Sequence, residues 1–175
     1  YKRQVRNGGS IMNFEIVVIG GGPAGATAAQ KLAENGKRVA LIDKDGRIKP
    51  CGGAIPPILI RDFNIPDNQV VAKIKTARMI SPTSRKVDMP IENGFVGMVD
   101  RENFDDFLRK RAENAGAKLF IGTFLRIKRQ ESEVNVIFKN KETGEERTLK
   151  TKAIIAADGA RSNVARAEMP GGKAI

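Results

Sequence analysis

The sequence predicts an α/β fold with a parallel central sheet, a βαβ start and a small inserted antiparallel sheet, on three observations. Two short β-branched apolar runs, Phe14–Ile19 and Arg38–Asp43, flank an alanine-rich stretch from Pro23 to Asn35. Val71–Ser81 and Arg85–Pro90 alternate in the manner of strands around the turn residues Ser81-Pro82-Thr83-Ser84. A further buried-type run, Lys152–Ala157, returns near the end of the chain after a polar meander.

Each element has its own reason. Phe14–Ile19 is nearly continuous in apolar residues, the pattern of a strand covered on both faces, and Gly20, Gly21 and Gly22 end it. The stretch Pro23–Asn35 reads as a helix with proline at its start and Gly36 just past its end. With Arg38–Asp43 it makes a βαβ unit within about 30 residues, as a right-handed parallel crossover requires. The Gly/Pro-rich segment Lys49–Pro57 is predicted as a loop beside this unit. The two alternating runs are predicted to pair as an inserted hairpin. Arg101–Ala115 places Phe104, Phe107, Leu108 and Ala112 on one helical face and ends at Gly116. Lys118–Thr123 reads as another parallel strand, followed by a meander of Phe124–Gln130, Glu133–Lys139 and Glu146–Lys150 that turns at Thr143–Gly144. A last helix is predicted to start at Ala160.

Composition narrows the chemistry. The chain has no histidine, which excludes histidine-based triads and the commonest general base, so catalysis must lean on a cofactor. The single cysteine, Cys51, excludes an intramolecular disulfide and fits a reducing compartment. The net charge of +11 is spread along the chain with no arginine-rich arm, so it reads as a solvated basic surface, with neither nucleic acid nor a metal expected as partner. No apolar run approaches the about 20 residues a membrane-crossing helix needs. Residues 1–11 read as a leader that is not native, with Met12 as start, residues 12–168 as one domain, and residues 169–175 as a short Gly/Pro tail.

The first chemical motif is Gly20-x-Gly22-x-x-Gly25, placed where a strand turns into a helix. Gly20 permits the tight turn, Gly22 lets backbone amides approach a pyrophosphate, and Gly25 allows helix and strand to pack closely. Pro23 and Ala24 open the helix, whose N-terminus offers unpaired N–H groups to a diphosphate. Asp43, 18 residues after Gly25 and next to Lys44, stands where a carboxylate accepts hydrogen bonds from a ribose diol. A 2′-phosphate would be repelled there, so the site suits FAD or NAD. These features make the expected fold a Rossmann-like FAD/NAD(P)-binding domain.

The run Gly20-Gly21-Gly22-Pro23-Ala24-Gly25 resembles the form common in flavoproteins, and Ala156-Ala157-Asp158-Gly159-Ala160-Arg161 resembles the Asp-Gly motif of the aromatic hydroxylase-like flavoprotein superfamily. In that resemblance Asp158, Gly159 and Arg101 contact the flavin dinucleotide. Asp158 also reads as a helix cap, and Arg101 as a solvated residue at a helix start. Lys49-Pro50-Cys51-Gly52-Gly53-Ala54-Ile55-Pro56-Pro57 is similar to the Cys-Gly-Gly loop of the geranylgeranyl reductases, in the branch that finishes (bacterio)chlorophyll tails. Met79-Ile80-Ser81-Pro82 and Gly94-Phe95-Val96-Gly97-Met98-Val99-Asp100-Arg101 resemble the same branch.

The resemblance implies FAD as cofactor and NADPH as hydride donor. It implies saturation of isoprenoid double bonds toward phytyl, with geranylgeranyl diphosphate or a prenylated pigment as substrate. It also implies a cytoplasmic protein or one peripheral to a photosynthetic membrane. Gly52 and Gly53 imply close backbone approach to a ligand. Cys51 reads as a catalytic group in proton delivery, as a ring contact, or as a small buried hydrophobe. Family members carry a further Gly-Asp flavin motif and most of a hydrophobic substrate domain beyond what is present here. A fragment that binds FAD weakly is therefore expected. Two alternatives stay open: another FAD-dependent reductase or hydroxylase-like monooxygenase, archaeal lipid reductases included, and a non-catalytic nucleotide-binding module.

Overall fold

The computed structural model describes residues 11–45, 51–92 and 94–170. The expected leader, except Ile11, the Lys49-Pro50 start of the cysteine loop and most of the expected tail lie outside the described residues. The chain divides into two compact units, one of residues 1–47 with 107–175 and one of residues 48–106.

The first unit opens with strand β1 (Met12–Asn13), strand β2 (Ile16–Ile19), helix α1 (Pro23–Glu34) and strand β3 (Val39–Asp43). The second unit holds β4 (Ala54–Ile55), helix α2 (Pro57–Asp62), a 3-10 turn at Asp67–Gln69, β5 (Ala72–Ile74), β6 (Thr76–Ile80), β7 (Lys86–Pro90) and β8 (Val96–Met98). Helix α3 (Arg101–Asn114) begins in the second unit and continues in the first from Phe107. The chain finishes with β9 (Lys118–Gln130), β10 (Glu133–Asn140), β11 (Glu146–Thr151), β12 (Ala153–Ala156) and helix α4 (Asn163–Glu168).

In the first unit seven strands line up in the order β1-β11-β10-β9-β3-β2-β12. The four from β9 to β12 are mutually parallel, with Ile16–Ile19 paired on one side to Val39–Ile42 and on the other to Ala153–Ala156. β10 and β11 then continue the sheet antiparallel. This is the predicted Rossmann-type architecture, with the predicted βαβ start. The apolar runs form its core: Val17, Ile19, Ala40, Ile42, Phe120, Val136, Phe138 and Leu149 are buried in one cluster. Phe120 stands edge-on to Phe14 and to Phe138, with centroids 5.8 and 5.6 Å apart. Each such side chain contributes on the order of 1.5–3 kcal/mol through burial.

Several predicted boundaries move, each for a local reason. The first run is broken at Phe14–Glu15, because there the chain steps from one neighbour to another: Met12–Asn13 pair with Leu149–Lys150, whereas Ile16 pairs with Ala153. The buried hydroxyl of Thr151 bridges this step by donating to the carbonyl of Glu15 at 2.9 Å. The predicted break between Thr123 and Phe124 is absent. β9 runs straight through it, pairing with β3 through Lys118–Ile121 and with β10 beyond, and it absorbs the change with a bulge at Leu125. The last helix starts at Asn163 rather than Ala160, since Asp158 and Ser162 fix its first turn from outside.

In the second unit the predicted hairpin exists as β6 and β7, joined through Arg78 opposite Asp88. Its upstream part belongs elsewhere: β5 pairs with β8, which pairs with β4 on its other edge. The segment predicted as loop contains the short strand β4, and helix α2 begins at its last residue. Pro57 occupies the first helical position of α2, where the missing N–H removes no bond.

Candidate functional site

The order β12-β2-β3 places Gly20, at the end of β2, between the ends of its two parallel neighbours. This is the carboxyl end of the parallel strands, outside which open α/β sheets bind ligands in a crevice. Gly20 has φ +103°, and a Cβ there would stand 2.3 Å from the carbonyl oxygen of Ala157. Its N–H donates to the carbonyl of Ile42 at 2.8 Å, so the turn is stitched to β3 as well. A Cβ on Gly25 would lie 1.8 Å from the carbonyl oxygen of Gly20, which brings the first turn of α1 directly onto the strand end.

Gly22 is the N-cap of α1 and Pro23 follows at the first helical position, yet no side chain caps the helix and no acidic residue occupies its first turn. The first intrahelical bond runs from the Ala26 N–H to the Gly22 carbonyl at 2.9 Å, so the Ala24 and Gly25 N–H groups precede it. Helix α4 is built differently. The Ser162 hydroxyl accepts from the Ala165 N–H, and the Asp158 carboxylate accepts from the Asn163 and Val164 N–H groups at 2.7 and 3.2 Å. The same chain therefore caps one helix with side chains and leaves the other open at the crevice. An open, partly positive N-terminus among glycines fits a diphosphate.

Asp43 ends β3 beside this turn. Its Oδ2 accepts the Gly21 N–H at 2.7 Å and its Oδ1 accepts the Asp45 N–H at 2.8 Å. Lys44, next to it, is exposed. Asp158 follows β12 in the same unit, also accepts a hydrogen bond from the Ser162 hydroxyl at 2.5 Å, and is followed by Gly159 at φ +88°. The structure thus brings Gly20, Gly22, Pro23, Ala24, Gly25, Asp43, Lys44, Asp158 and Gly159 together in the first unit.

Cys51, Gly52, Gly53 and Arg101 belong to the second unit. Gly53 has φ +70°, and a Cβ there would meet the Val99 carbonyl oxygen at 2.0 Å, while the Gly53 carbonyl accepts the Val99 N–H at 2.9 Å. Cys51 is exposed, which removes its reading as a small buried hydrophobe. The Gly53 N–H, and after it the Arg101 guanidinium, hold its thiol below the ordinary cysteine range. Arg101 is not a solvated helix-start residue: its side chain is 13% exposed and makes a two-pronged pair with Asp105 at 3.0 and 2.9 Å. The pairing of Asp105 with Arg101 is not among the predicted contacts, although their spacing is that of neighbouring turns on a helix face. Gly21, predicted only as part of the glycine run that ends the first strand, and Arg109 carry no predicted contact with Asp43 either, for want of any local signal.

Among the described residues no helix is long and apolar enough to cross a membrane, and no group of three or more His, Cys, Asp or Glu side chains is arranged to hold a metal ion.

Comparison with known proteins gives one family match and a consistent set of relatives. The family model described as pyridine nucleotide-disulphide oxidoreductase matches residues 14–174. The chain is 59% identical to a geranylgeranyl diphosphate reductase of Rhodobacter capsulatus, over 93% of this chain and 41% of that protein. It is 40% identical to a chloroplastic geranylgeranyl diphosphate reductase of Oryza sativa, over 87% of this chain and 36% of the relative. A solved geranylgeranyl bacteriochlorophyll reductase-like protein from Thermoplasma acidophilum superposes with a TM-score of 0.76 at 25% identity, covering 86% of this chain and 40% of its own. The chain thus spans about two fifths of the length of these relatives.

Proposed function

We propose, on the premise that the chain belongs to the pyridine nucleotide-disulphide oxidoreductase family, that it forms the FAD-binding part of a geranylgeranyl reductase. The observation that carries the cofactor reading is the uncapped N-terminus of α1 at the carboxyl end of the parallel strands, with the Asp43 carboxylate fixed beside it. Gly20, Gly22, Pro23, Ala24 and Gly25 receive the diphosphate through backbone N–H groups and the helix dipole. Asp43 accepts the ribose hydroxyls, with Lys44 at the rim of the site. Asp158 and Gly159 shape the neighbouring strand end. In the second unit, taken by itself, we assign flavin contact to Arg101, Cys51, Gly52 and Gly53. Bound FAD supplies hydride acceptance and delivery, with NADPH as the donor.

The substrate is a geranylgeranyl chain, as the diphosphate or on a pigment, whose isolated double bonds are saturated toward phytyl. Sequence similarity to the Rhodobacter capsulatus reductase over nearly all of this chain supports that reading. We assign the exchange of a proton with the substrate to Cys51, whose thiol the Gly53 N–H and the Arg101 guanidinium hold below the ordinary cysteine range. The protein works in the cytoplasm or at the face of a photosynthetic membrane.

The test is a titration of the full-length protein with FAD and, separately, NAD, followed by turnover of geranylgeranyl diphosphate with NADPH. Saturable FAD binding that Gly22→Val and Asp43→Ala each weaken, together with double-bond reduction, is the expected result. A full-length protein that takes no FAD overturns the cofactor reading, and one that binds FAD but leaves the prenyl chain unreduced overturns the substrate.

A further inference from the structure

One charged side chain in the first unit lies against the candidate ribose acceptor and has no part in the reading above. Arg109, on α3, is 13% exposed, with Nη1 3.8 Å from Oδ1 of Asp43 and Nη2 3.7 Å from Oδ1 of Asp45. Asp45 is also met by Nζ of Lys141 at 3.2 Å. The aliphatic stem of Arg109 packs on bare backbone: a Cβ on Gly21 would stand 3.0 Å from its Cδ and 2.8 Å from Cβ of Asp43. Gly21 is thus the residue over which the arginine and the aspartate meet, and it donates its own N–H to that aspartate.

We infer that Arg109 is a positioning residue for dinucleotide binding, holding the Asp43 carboxylate in the orientation that receives the adenosine ribose. The inference rests on the dinucleotide reading and deepens it. Two peptide N–H groups, of Gly21 and Asp45, engage one oxygen each and leave the outer lone pairs open to hydroxyl donors. At 3.8 Å the guanidinium acts on Asp43 through charge rather than through a short hydrogen bond, and its partial burial limits screening by salt. It also offsets the repulsion between two carboxylates only two residues apart, Asp43 and Asp45, so that neither turns away toward solvent.

The test uses the full-length protein and compares FAD dissociation constants for the wild type, R109Q, R109K, D43A and the D43A/R109Q double variant. R109Q is expected to weaken FAD about fivefold, the order of a partly exposed ion pair, and R109K to recover most of that loss. On the D43A background R109Q is expected to add less than about twofold, because its effect runs through the missing carboxylate. The melting temperatures of the flavin-free proteins separate binding from folding, and R109K serves where R109Q does not fold. An unchanged FAD constant in R109Q, or the same loss on the D43A background, overturns the inference. A D43A variant with undiminished FAD affinity counts instead against the dinucleotide reading itself.

Discussion

The carbonyl oxygen of Gly20 lies 1.8 Å from the point that a Cβ on Gly25 would occupy, so these two glycines meet in a contact that only hydrogen permits. Strand β2 and helix α1 are locked together through that contact, and the open helix end is held at the edge of the crevice by it. Backbone lies on both sides, so neither side can give way as a flexible side chain would.

Gly25→Ala is therefore expected to destabilise the protein by about 1–3 kcal/mol or more. FAD should be lost in the same variant, because relief of the clash requires the helix start to move. Gly36→Ala is the control: it has open space around it but φ +73°, so a cost of about 1–2 kcal/mol with FAD binding retained is expected. Thermal unfolding and flavin content of the purified variants check both.

Cys51 should react with iodoacetamide at lower pH than a free cysteine, whose ordinary value is about 8.5. The thiolate is the reactive form, and the Gly53 N–H and the Arg101 guanidinium both stabilise it, which lowers the pKa in the folded protein. Arg101→Gln removes one of the two and should move the alkylation profile toward higher pH. Coincident profiles for the two proteins would show that the arginine does not govern the thiol.

Phe138 is completely buried and packs edge-on against Phe120, so Phe138→Ala is expected to cost about 3–5 kcal/mol. Leu125, the extra residue at the β9 bulge, is 38% exposed, and Leu125→Ala should stay within about 0.5–1 kcal/mol. Denaturant midpoints of the two variants against the parent protein give the comparison. Similar shifts for both would mean that the bulge packs more tightly than its exposure implies.

The parts of the fold that sequence reveals are those whose pattern is local. The βαβ unit is legible because Ile16–Ile19 and Val39–Asp43 are apolar without interruption and the glycines between them have fixed duties at the turn. Helix α3 is legible because Phe104, Leu108 and Ala112 recur at helical spacing and are all buried. What escapes depends on neighbours distant in the chain. The continuity of β9 is set by β3 on one stretch and β10 on the next, and nothing in Thr123-Phe124 announces that handover. Ala54–Ile55 becomes a strand only because Gly97–Met98 lies alongside, and α2 is hidden by the very proline that starts it.

The candidate site divides in the same way. Gly20, Gly22, Gly25 and Asp43 announce themselves by spacing. The N–H that Gly21 gives to Asp43, and the arginine packed above it, join positions 22 and 66 residues away from the aspartate and become visible only once the chain is folded.

The pairing of β2 with β12 has a consequence for synthesis. Residues 16–19 are synthesised well before residues 153–156, which form one of the two strands that flank them, and the carbonyl against which Gly20 packs belongs to Ala157. Translation at about 5–20 residues per second puts roughly 7–28 s between the two. During that interval β2 has one open edge and the glycine turn lacks its wall, so the nascent chain carries an unfinished nucleotide pocket. Capture of a cofactor during translation is expected to wait for β12 to emerge.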